Sequence, residues 1–88
     1  MRSVIIKVKG KVQGVGFRYY TLKAALDNNI KGFVRNQGDG SVYIEAVGNI
    51  DDIEVFIDWC KVGPQWANVT NVLVSDSEIG SYSKFEVK

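Results

Sequence analysis

The residues best suited to chemistry stand together in one stretch, Gly10-Lys11-Val12-Gln13-Gly14-Val15-Gly16-Phe17-Arg18. Glycine lets the backbone turn its N–H groups inward where a side chain would clash. A helix expected to begin at Arg18 offers further unpaired N–H groups and the positive end of its dipole. Arg18 itself adds a planar, permanently charged fork that matches an oxyanion. The stretch reads as an anion cradle. Taken alone, the glycines are better read as a strand-to-helix turn, and Arg18 as a solvated helix residue.

The rest of the chain narrows the chemistry by what it lacks. There is no histidine, which removes the commonest general base and metal ligand. Cys60 is the one cysteine, so neither an intramolecular disulfide nor a cysteine-based metal site can be built. It falls on an apolar helical stripe and reads as an inert core thiol. Eleven Lys+Arg against ten Asp+Glu leave a net charge of +1, which argues against a protein that coats nucleic acid. The apolar run Val4-Ile5-Ile6 is too short, and too soon followed by Lys7 and Lys9, for a signal peptide or a membrane span. A cytoplasmic protein with no membrane or nucleic-acid partner is expected. Eighty-eight residues suit a single domain, 1–88.

The elements that position the cradle follow from periodicity. Val4, Ile6 and Val8 alternate with Ile5, Lys7 and Lys9 as a half-buried strand, with Gly10 expected to end it. Arg18 to about Asn28 reads as a helix, with two candidate buried stripes: Phe17, Tyr20, Thr21 and Ala24, or Tyr19, Leu22 and Leu26. Asn28-Asn29 is the expected stop, since Asn tolerates the left-handed conformation. Ile30–Asn36 and Ser41–Val47 read as strands joined antiparallel through Gln37-Gly38-Asp39-Gly40. Asn49 is a predicted N-cap with Asp51 and Asp52 in the first turn. Ile53, Phe56, Ile57 and Cys60 then mark an amphipathic helix ended by Gly63-Pro64. Trp59 and Trp66 are expected at the edge of the core. Val69–Val74 is a further strand, 75–83 a polar loop, and Phe85–Val87 a short last strand. This order predicts an α+β, ferredoxin-like βαββαβ sandwich, an antiparallel sheet with two helices on one face and a short extra C-terminal strand. That architecture by itself decides nothing about chemistry.

Two signatures carry a resemblance that spacing alone does not. The stretch Gly10 to Arg18 resembles the first signature of the acylphosphatase family. Gly32-Phe33-Val34-Arg35-Asn36, followed by Gly40, Val42 and Gly48, resembles its second at matching intervals. The resemblance covers essentially the whole chain. Departures are Asn28-Asn29 where relatives often have Leu-Gly, Gln65 where they have a second proline, and Val87-Lys88 where an aromatic residue often ends the chain. The resemblance implies hydrolysis of the carboxyl–phosphate bond of acyl phosphates, with no cofactor and no metal. Carried over residue by residue, the loop Gln13, Gly14, Val15, Gly16 and Phe17 would hold the phosphate through backbone N–H groups. Arg18 would clamp the same phosphate, and Asn36 would orient the attacking water.

That chemistry is compatible with a chain that has no histidine. The leaving group of an acyl phosphate is a carboxylate, which departs at neutral pH without being protonated first. Phosphoryl transfer then rests on positioning and charge stabilisation. Tyr19, Tyr20 and Lys23 are candidates for a modest substrate rim. The competing readings are a non-catalytic phosphate- or anion-binding module and an RNA-binding ferredoxin-like module. Against the second, the strand Ser41–Val47 offers only Tyr43 for stacking. A monomer acting on a small acyl phosphate is the expectation.

Overall fold

The computed structural model describes residues 1–78 and 80–88. Its elements run β1 (Arg2–Lys11), α1 (Phe17–Asp27), β2 (Lys31–Asn36), β3 (Val42–Gly48), α2 (Ile50–Val62), β4 (Asn68–Asp76) and β5 (Phe85–Val87). The five strands form one sheet in the order β4-β1-β3-β2-β5. β1 pairs antiparallel with both β3 and β4, and β2 pairs antiparallel with β3. The short C-terminal strand lies parallel to β2, so the sheet is mixed at that edge.

Period-two alternation builds one buried face. Val4, Ile6 and Val8 of β1 and Val42, Ile44 and Ala46 of β3 are all fully buried. Both helices cover this face. α2 lays down Ile53, Phe56, Ile57 and Cys60, the predicted stripe. α1 buries Phe17, Thr21, Ala24 and Ala25. The first candidate stripe therefore prevails with two changes: Tyr20 stays 44% exposed, and Ala25 takes its place. Leu26, of the rejected stripe, is 63% exposed. Thr21 is tolerated in the core because its hydroxyl donates to the Phe17 carbonyl at 2.7 Å. Each large aromatic or branched side chain so buried contributes roughly 1.5–3 kcal/mol.

Several local expectations change. Gly10 does not end β1, which continues to Lys11; it sits where the pairing with β4 shifts register, between Lys9 and Gly10. Its φ of 127° is closed to other residues, and a Cβ there would collide with the Asn68 carbonyl. Bulges of this kind twist the strand end and re-aim the residues beyond it. Gly10 thus aims the loop from outside the cradle. Asn29, with φ 56°, supplies the left-handed step after α1 that a glycine often supplies. Asn49 precedes α2 as expected, but its side chain makes no capping bond. Trp59 packs between Phe17 and Phe56, whereas Trp66, in the turn beyond α2, is 70% exposed. β4 reaches two residues into the predicted loop, to Asp76, and Ile79 of that loop lies outside the described residues.

The bulge gives a stability test. Gly10→Ala is expected to destabilise the protein by about 1–3 kcal/mol, through strain at a left-handed position and displacement of β4. Gly38→Ala, at a hairpin site where a Cβ meets nothing within 4 Å, should change stability by no more than about 0.5 kcal/mol. Urea denaturation of the two variants reads the difference.

Candidate active site

Between β1 and α1 the chain makes a tight loop anchored at both ends by buried side chains, Val12 and Phe17. Phe17 packs against Trp59 with ring centroids 5.5 Å apart, which fixes the first turn of α1. Gly14 and Gly16 both take left-handed φ values, 74° and 76°. Gly16 is the helix cap and has no side chain to satisfy the first turn. The first helical bond runs from the Tyr20 N–H to the Gly16 carbonyl at 3.1 Å. Among the described residues, no backbone N–H from Gln13 to Tyr19 donates to another protein group. Unpaired donors and the positive end of a helix dipole therefore converge at one place.

A cleft of about 440 Å³ opens there, lined by Val12, Gly14, Gly16, Phe17, Arg18, Tyr19, Asn36 and Val87. Arg18 is exposed at its edge, and one Nη1 donor reaches the main-chain oxygen of Lys88 at 3.0 Å. Asn36 enters from the opposite side as the last residue of β2, on the same sheet face as Val34 and Gly32. Its Oδ1 is buried and has no hydrogen-bond partner. A buried acceptor left in that state costs about 1–3 kcal/mol, so it is a place where a donor is wanted. Among the described residues, no carboxylate or thiol lines the cleft. The field inside it comes from backbone N–H groups and one guanidinium.

Of the residues singled out in the sequence, Gly14, Gly16, Phe17, Arg18 and Asn36 meet at this cleft. Gln13 and Val15 belong to the loop but not to the cleft wall. Val15 packs against the core, and the Gln13 amide turns toward the β2–β3 hairpin. Tyr19 joins the wall, while Tyr20 and Lys23 do not; Lys23 lies over the Tyr19 ring at 5.9 Å. Val12 and Val87 are the wall residues that residue types did not single out. For Val87 the signal is the apolar ending Phe85-Glu86-Val87, whose parallel pairing with β2 carries it to the cleft.

The remaining titratable groups stand apart from the cleft. Burial pushes the Cys60 thiol well above its ordinary range, so it is protonated and unreactive at neutral pH. A thiol reagent added to the native protein is expected to label Cys60 at a negligible rate, and to react fully once denaturant is added. Rapid labelling under native conditions would show the α2 stripe to be open.

A ferredoxin-like sandwich whose cleft joins a backbone N–H loop, a guanidinium and a lone amide belongs to the class that binds oxyanions. The profile of the family described as Acylphosphatase matches residues 4–87. An acylphosphatase of Oceanobacillus iheyensis is 47% identical, covering 100% of this chain and 99% of its own length. One of Archaeoglobus fulgidus is also 47% identical, covering 99% of this chain and 98% of its own. Among solved structures, an acylphosphatase from Bacillus subtilis superimposes with a TM-score of 0.96 at 34% identity, covering 100% of this chain and 99% of its own. The chain belongs to the acylphosphatase family.

Proposed function

We propose that this protein hydrolyses acyl phosphates to a carboxylate and inorganic phosphate, with the N–H groups of the loop 13–17 and Arg18 holding the phosphate and Asn36 aiming the water. The observation that carries the site assignment is the buried, unpartnered Asn36 Oδ1 on the wall of the cleft that holds Arg18. The Asn36 carboxamide carries both an acceptor and a donor, and its polar end turned into the cleft would hold a water with its lone pair toward phosphorus.

The reaction then needs little from side chains. The water oxygen forms a bond to phosphorus as the bond from phosphorus to the acyl oxygen breaks. The electron pair leaves on the carboxylate, and the water's proton passes to a phosphate oxygen. Charge that gathers on the equatorial oxygens during transfer meets the loop N–H groups and Arg18, donors already in place. The acyl group extends along the apolar part of the wall, Val12, Tyr19 and Val87. Among the described residues no cluster of three metal-ligating side chains exists, and the cleft wall offers no carboxylate for a divalent ion.

The same reading takes the protein as a cytoplasmic monomer with a small substrate and no nucleic-acid partner. The outer-face rings of Phe33 and Tyr43 are already covered by Arg35, at 5.7 and 4.8 Å, so they are poor platforms for a base.

Release of phosphate from an aryl acyl phosphate in the presence of chelator tests the reading. Arg18→Ala and Asn36→Ala should each lower kcat/KM by about a hundred- to a thousandfold while keeping the native circular dichroism. Wild-type rates in either variant would overturn the assignment. The side chains that line the cleft include no histidine, carboxylate or thiol to serve as a general acid or base. Wild-type kcat should therefore be level between roughly pH 6 and pH 8. A bell-shaped profile in that window would point to an acid or base that this reading does not contain.

A further inference from the structure

The Gln13 side chain is the one polar group of the loop that turns away from the cleft, and its contacts are specific. Its Nε2 donates to the Gln37 carbonyl at 2.7 Å and to the Ser41 carbonyl at 2.9 Å. Those two carbonyls face each other across the mouth of the β2–β3 hairpin. The Gln37 N–H also donates to the Ser41 carbonyl at 2.9 Å, and the Gly40 N–H to the Gln37 carbonyl at 3.1 Å. A primary amide has two N–H bonds on one nitrogen, so Gln13 gives each of the two carbonyls a second hydrogen bond. Gln37 is the residue directly after Asn36, which closes β2. The amide therefore bolts the loop that carries the cradle to the peptide that carries Asn36, across 24 residues of sequence.

We propose that Gln13 is a positioning residue for the hydrolytic step, setting the distance between the phosphate cradle and the Asn36 carboxamide. The proposal rests on the reading of Asn36 as the water-orienting group. The physical argument is one of tolerance. The cradle and Arg18 lie on one continuous stretch of chain and hold a phosphate without help from β2. Attack on that phosphate, by contrast, requires Asn36 to stand within about 0.5 Å of one place relative to it. No other side chain of the loop hydrogen-bonds to the β2–β3 hairpin among the described residues. Removal of the amide should thus leave binding of phosphate nearly intact and slow the reaction of the bound substrate.

The experiment is a double-mutant cycle read in two quantities, kcat for an aryl acyl phosphate and the inhibition constant of inorganic phosphate. Gln13→Ala is expected to lower kcat about ten- to a hundredfold, while the phosphate inhibition constant stays within about threefold of wild type. In an Asn36→Ala background the same change should cost less than about threefold in kcat, because the group it positions is gone. Gln13→Met keeps the length without the donors and should behave as Gln13→Ala does. Equal cost in both backgrounds would make Gln13 a general support and overturn the positioning role. So would near-wild-type kcat in the single variant, a parallel loss of phosphate binding, or failure of both variants to fold. Wild-type kcat in Asn36→Ala alone would instead overturn the underlying reading of Asn36.

Discussion

The site depends on the register of β3. Val42, fully buried, pairs with Val8 on one side and with Asn36 on the other. β1 leads from Val8 toward the cradle, and β2 delivers the amide, so one residue of the intervening strand sets both. Side chains alternate across a sheet with a period of two, and a slip of one residue would send Asn36 to the outer face. The slip is prevented by the inner faces of all three strands together, since it would also expose Val34, Ile44 and Ala46 or bury their polar neighbours. The hydrophobic core and the chemistry are thus specified by the same alternation. The hairpin tip reinforces it: the Asp39 carboxylate accepts from the Ser41 N–H at 3.0 Å and pairs with Lys7 of β1 at 3.0 Å. The Ser41 hydroxyl bond, more than any other contact, holds the Asp39 carboxyl far below the usual carboxylate range.

Around that frame the cleft is walled by backbone and by side chains that include no histidine, carboxylate or thiol. A backbone N–H is a fixed dipole, and its direction is set by glycine conformation and helix geometry and not by side-chain rotamers. Donors fixed in this way need little reorganisation when charge develops beside them. It also explains why Phe17 is so deeply buried: the ring, locked against Trp59, fixes the peptide planes on either side of it. Packing below the loop is the means by which its donors are aimed.

How much of this was legible in the sequence depends on the range of each signal. Strands and helices declared themselves through periodicity, and the order of elements pointed to the sandwich. Gly14, Gly16 and Arg18 were legible as an anion site because their physical meaning is local. Gly10 was misplaced, since the difference between a strand end and a bulge depends on Asn68 in β4, far along the chain. Asn36 carried no local meaning at all: its residue type before a hairpin reads as a turn former, and only the family signatures singled it out. The parallel β5, the cleft face of Val87 and the Gln13 contacts have no pattern in sequence, because each is created by elements meeting in space. Tyr20 was lost from the buried stripe for a related reason. The small side chains of Ala24 and Ala25 take the buried face of α1, and the larger ring is left at the rim.

The C-terminal strand shows how a weak contact serves a strong one. Arg18 is exposed, and a long flexible side chain in water has much freedom to lose on binding. Its bond to the Lys88 main-chain oxygen removes part of that freedom before substrate arrives, while Lys88 is held in turn by its own N–H donating to the Val34 carbonyl at 2.8 Å. The Lys88 oxygen orients the guanidinium, whose fork retains other N–H groups. Val34 belongs to β2, two residues before Asn36. Arg18 and Asn36 are thus referred to the same strand, from opposite sides of the cleft.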